Sequence, residues 1–211
     1  MRALELNNNG VVVKYELPTS WSEVSLGQYS KLMNALDNEK ATEIELIVKT
    51  LEALVGISSN ELTKVPLKYL KIAYSELIEL TSTMPSNELK KIIDVGGTAY
   101  GFIPDFDELT FGEFCDLDNY LQDSWNNLDK ILAVLYRKIT DRDNDKYKIE
   151  EYTLEGITER RELFKNNLSI DTIYGALVFF YHIGSKHIKT MLYSLERESK
   201  QVRSKLLREQ L

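Results

Sequence analysis

The chain has 211 residues, 43% of them hydrophobic and 28% charged, with a net charge of −7. That length can bury a sizeable core as one domain or two small ones; no apolar run nears the roughly 20 residues of a membrane-crossing helix, and the start, Met1 to Asn7, lacks the apolar stretch of a signal peptide. With neither of these, the expected location is a cytoplasm or an assembly made there; a single cysteine, Cys115, excludes an internal disulfide and a cysteine-rich zinc site.

In chain order, Leu4 to Leu6 and Val11 to Leu17 flank Asn7-Asn-Asn-Gly10, and this pattern predicts a β-hairpin. Next comes Trp21-Ser-Glu-Val-Ser-Leu-Gly-Gln-Tyr29, which recurs class for class as Phe106-Asp-Glu-Leu-Thr-Phe-Gly-Glu-Phe114. Each copy is a helix-start device. Ser25 and Thr110 are placed to cap free backbone N–H groups, with Gln28 and Glu113 reaching back to the cap residue. Val24 and Leu109 precede the caps, where they can pack against Tyr29 and Phe114 as a hydrophobic staple. Helices are predicted near 25–37 and 110–122, with Leu32 and Leu36 matched by Leu117 and Leu121 at the same 85-residue offset. A further helix is expected after each, around Ile44 to Leu51 and Leu128 to Leu135. A third, near 66–82 with Pro66 in its first turn, has its counterpart at 169–183.

The second copy is also preceded by a hairpin, Lys91 to Val95 and Thr98 to Ile103 around Gly96-Gly97. It carries an insertion at about 139–167 that includes Asp141-Arg-Asp-Asn-Asp-Lys146 and a helical stretch near 155–166. The expected fold is α+β and mainly helical: a duplicated unit of hairpin plus helices at 1–86 and 87–184, then a long basic C-terminal helix at 185–211. That last segment holds seven Lys or Arg against three Glu, a surplus of four, which leaves −11 for the remainder. In it Ile188, Leu195 and Val202 recur every seven residues, and Leu192, Ser199 and Leu206 form a second row, a seam of coiled-coil type. The seam either packs across its own domain or docks on another subunit.

Site chemistry is sparse. His182 and His187 are five apart, whereas helical metal pairs use three or four. Cys115, beside Phe114, reads as a core residue. Asp141-x-Asp143-x-Asp145 begins like a calcium loop, but the sixth and twelfth positions hold Lys146 and Tyr152 where such a loop needs Gly and Glu, so a solvated surface loop is expected. Asp105, Asp107, Glu108, Glu113, Asp116 and Asp118 crowd the second helix start, where carboxylates are favoured by the helix dipole. They form an acidic face suited to a basic helix such as 185–211 of a neighbouring copy. No catalytic, cofactor-binding or metal site is expected.

Trp21 to Tyr29, Tyr100-Gly-Phe-Ile-Pro104, Phe106 to Phe114, Ile131-Leu-Ala-Val-Leu-Tyr-Arg137 and Gly175-Ala-Leu-Val-Phe-Phe180 together resemble roughly 200-residue proteins from the structural gene modules of tailed bacteriophages, the crAss-like phages and relatives among them. The resemblance implies a non-enzymatic neck, tail or virion-interior component, or a tail-assembly chaperone absent from the finished particle. It implies phage structural proteins and further copies of the chain as partners, in the virion or in host cytoplasm during assembly. From the residues themselves, Ile188, Leu192, Leu195, Arg197, Lys200, Val202, Arg203 and Leu206 are the expected partner-binding surface. A nucleic-acid-associated packaged protein, gripping phosphates with the basic helix, is the alternative from another class, and the −11 of the body opposes it.

Overall fold

The computed structural model describes residues 1–8, 11–37, 41–144 and 146–184. The first strands, β1 (Arg2–Asn8) and β2 (Val11–Leu17), pair antiparallel from Arg2↔Leu17 to Asn8↔Val11. One 3-10 turn, Trp21–Glu23, leads into α1 (Leu26–Leu36), followed by α2 (Glu43–Val55), α3 (Ser59–Leu62) and α4 (Leu67–Thr81). The caps decide where these helices begin. Ser25, Thr42 and Ser58 each accept from the amide three residues on, and Gln28, Glu45 and Glu61 each return a bond to the cap amide. Gly56 closes α2 at φ 78°, a left-handed conformation that a side chain would strain. Pro66 stands at the cap position of α4, one residue before the first turn.

The second half repeats hairpin, helix, helix. β3 (Ile92–Val95) and β4 (Thr98–Phe102) are joined by Gly96 and Gly97, both at positive φ as a tight hairpin turn requires. α5 (Phe111–Leu121) starts on the capping box of Thr110 and Glu113, and α6 (Leu128–Leu135) follows. α6 then passes without a loop into β5 (Tyr136–Asp143), which turns back as β6 (Lys146–Ile149), completing an antiparallel sheet in the order β3-β4-β5-β6. The Asp141–Lys146 stretch is therefore not a free surface loop. It is the end of one strand and the start of the next, with Asn144 at φ 52° in the turn, because Asp141, Arg142 and Asp143 pair with Lys148, Tyr147 and Lys146. α7 (Leu154–Asn167) and α8 (Ile170–Phe179) follow; α8 loosens into a π-type turn at Phe180–Gly184.

The fold is α+β and mainly helical. Buried residues from both halves form one continuous cluster, from Leu17 and Val24 through Leu77 and Leu80 to Ile131–Tyr136, Phe164 and Phe180. α6 is its centre: Leu128 and Ile131 to Leu135 are all buried, and Arg160 of α7 donates from Nε to the Ala133 carbonyl at 2.9 Å. The 82–91 connector is fastened to α8, since Ser86 N donates to Asp171 Oδ1 at 2.8 Å and Gly175 leaves room for the Glu88 backbone. Among the described residues no helix is long and apolar enough to cross a membrane.

Candidate functional site

The two copies of the repeated nonapeptide start their helices with the same capping box and have opposite surroundings. In the first, Trp21 is buried, donates from Nε1 to the Thr83 carbonyl at 3.0 Å, and meets Tyr29 edge-on; Tyr29 in turn meets Trp125. The α7–α8 connection lies across the outside of the helix start. Leu26 N donates to the Leu168 carbonyl at 3.2 Å, Ile170 N donates to the Val24 carbonyl at 2.9 Å, and Ser25 faces Ser169 as an antiparallel bridge. Gly27 permits the close approach, because a methyl group there would sit 3.2 Å from the Lys165 carbonyl oxygen. Leu26 is left 3% exposed.

In the second copy the equivalent of Leu26 is Phe111, and it is 80% exposed. The helix interior is well held. Glu113 is buried; Oε2 accepts from Thr110 N at 2.8 Å and Thr110 Oγ1 at 2.6 Å, while Oε1 lies 2.5 Å from Arg137 Nη2 in an ion pair that is close rather than well aligned as a hydrogen bond. Burial lowers the pKa of the Arg137 guanidinium, and the Glu113 and Glu150 carboxylates oppose that. Glu150 also pairs with buried Arg160, so two cations and two carboxylates balance beneath the sheet. Such pairing keeps buried charge tolerable without adding much net stability. Tyr152 lies against Gly112 and donates to Asp116; burial and that hydrogen bond both push its hydroxyl pKa upward. Nothing among the described residues crosses the start of α5 as Leu168–Ile170 crosses that of α1.

Helical spacing puts Phe111, Cys115 and Asp118 on one face, one and two turns apart. Cys115 is exposed, a correction to its reading as core. The buried face of α5 is set by Glu113 and Leu117, and Cys115 stands midway between them on the opposite side. Glu108 and Asp118 are exposed around Phe111, whereas Glu113 is committed to the cap and to Arg137. Asp116 is partly covered by Tyr152. The acidic cluster thus divides into internal braces and an outward rim. His182 is exposed, and no metal-binding group of His, Cys, Asp or Glu exists among the described residues. The C-terminal surface of Ile188, Leu192, Leu195, Arg197, Lys200, Val202, Arg203 and Leu206, with His187, lies outside the described residues.

An open groove of about 640 Å³ runs between the sheet and the end of α8, floored by Phe102, Phe106 and Phe179, with Lys91 and Lys146 on its rim. The Tyr147 hydroxyl is held at its edge by the Phe102 carbonyl at 2.7 Å. Among the described residues no nucleophile with an adjacent base lines it. Comparison with protein-family models, curated proteins and solved structures finds no match for the chain.

Proposed function

We propose that the protein is a non-enzymatic structural or assembly component of a tailed-bacteriophage particle, working through protein contacts and in several copies. What supports the reading is how the distinctive residues are spent. Trp21, Ser25, Gln28, Thr110 and Glu113 cap and anchor helices, Ile131 to Arg137 fill the core, and Gly175 admits a neighbouring backbone.

The single observation that carries the proposal is the outward-facing Phe111, set in an acidic rim, where the equivalent Leu26 is sealed. An exposed aromatic with charged residues around it matches the make-up of protein interfaces, an apolar centre with a polar rim. The basic, apolar-striped residues 185–211 offer a second contact surface of opposite charge. Mass spectrometry of purified particles tests the reading. A stoichiometric copy number supports a virion component; presence during assembly and absence from finished particles supports the chaperone form. Absence from both overturns the proposal.

A further inference from the structure

We infer that the open start of α5 is the acceptor site for residues 185–211 of a second copy of this chain; the inference rests on the assembly reading above. The internal repeat supplies the argument. Where the nonapeptide begins α1, a segment from elsewhere in the chain covers it: Leu168–Ile170 joins Val24–Leu26 through two backbone hydrogen bonds, and Leu26 is buried. The same nonapeptide begins α5 with the same capping box, yet Leu109–Phe111 has no such cover among the described residues and Phe111 points outward.

Chemistry narrows the occupant. The rim around Phe111 is acidic, with Glu108 and Asp118 exposed, so the covering segment should be basic and should present apolar side chains to the ring. Residues 185–211 carry seven Lys or Arg against three Glu, with Ile188, Leu192, Leu195 and Val202 interspersed. The body of the chain carries −11, so this is its basic segment. Donor and acceptor are different surfaces, so each copy offers both and contacts run head to tail, the type of interface that closes into rings or extends as filaments.

The test uses the full-length protein and its single cysteine, Cys115, one turn beyond Phe111. Light scattering is followed against protein concentration, with the rate of Cys115 modification by a soluble disulfide reagent measured in parallel. The expected result is a mass that rises with concentration while Cys115 becomes protected in step. Phe111→Ser and the combined Arg197→Glu, Lys200→Glu, Arg203→Glu variant should each weaken association about tenfold or more. Mixing that triple variant with a Glu108→Arg, Asp118→Arg chain should restore association.

Association that survives Phe111→Ser, or survives the triple reversal, overturns the inference while leaving the assembly reading intact. Cys115 protection at monomer mass, independent of concentration, means that the chain covers its own α5, and it also overturns the inference. A monomer with reactive Cys115 at every concentration removes both self-assembly and this site. Phe111 is exposed, so circular dichroism of Phe111→Ser should match the parent and separates lost docking from lost folding.

Discussion

Ser25 and Ser169 face each other across an antiparallel bridge, and each is the N-cap of its own helix. The starts of α1 and α8 are thereby tied together by Leu26 N to Leu168 O and Ile170 N to Val24 O. Proline is tolerated at the first helical position, and Ser25, at ψ 161°, already has the conformation that a following proline demands. Leu26→Pro therefore removes one bridge donor without breaking α1. It should be less stable than Leu26→Ala by about 1–2 kcal/mol in urea unfolding, because the buried Leu168 carbonyl is left without its partner. Equal stabilities would show that the bridge contributes nothing.

Leu26 and Phe111 hold the same place in the repeat, and truncating them should have very different effects. Leu26→Ala should cost about 2–4 kcal/mol, the range for emptying a sealed apolar site. Phe111→Ala should stay within about 0.5 kcal/mol, as exposed substitutions do. Matching losses at the two positions, read from urea midpoints of dilute protein, would contradict their opposite burial.

Removing one member of the Glu113–Arg137 pair strands a buried charge. Glu113→Ala should destabilise by about 3–5 kcal/mol, cap loss included. Arg137→Met in the same chain should recover much of that, since it removes the uncompensated guanidinium. A double-mutant cycle measures the coupling; additive losses would deny it.

Gly175 lies in the middle of α8, where alanine normally favours a helix by about 1 kcal/mol. Here a methyl group would fall 2.1 Å from the Glu88 carbonyl oxygen, a backbone atom fixed by the docked connector. Gly175→Ala should lower stability by about 2 kcal/mol or more, as overpacking does. A neutral or raised melting temperature would mean that the connector is not held against α8.

Acid should loosen the capping boxes. The Thr42 amide and hydroxyl hold Glu45 below its ordinary 4.5, and hydrogen bonds from the Ser58 hydroxyl and Tyr15 do the same for Glu61. A carboxylate with a depressed folded pKa contributes stability that is complete above its unfolded pKa and is lost as pH falls through the folded one. Unfolding free energy should therefore fall as pH drops below about 4.5, and a combined Glu45→Gln, Glu61→Gln variant should show a shallower fall. An unchanged slope would exclude these two groups as its source.

The helix starts were legible because a capping box is complete within four residues, and all of Ser25, Gln28, Thr110 and Glu113 make the predicted bonds. Features set by distant contacts were not. The phase of α5 follows Glu113 facing inward toward Arg137, a burial that hydrophobic periodicity misses, and this is why Cys115 read as core. β5 was hidden because it continues directly from α6 and ends in Asp-Arg-Asp, a run that suggests a loop. The opposite surroundings of Leu26 and Phe111 were beyond reach, since the two match by class and the difference lies in residues 168–170.

The same long-range clasp sets a timetable for synthesis. Leu26 emerges about 140 residues before the segment that seals it, and at typical elongation rates that interval is about 10 s. Until then the helix start of the first half presents Leu26 outward, much as Phe111 remains in the finished chain. The first half can form its hairpin and helices early, but its final closure waits for the α7–α8 connection. Truncated or stalled chains ending before Leu168 should therefore be the species most prone to bind one another or a chaperone.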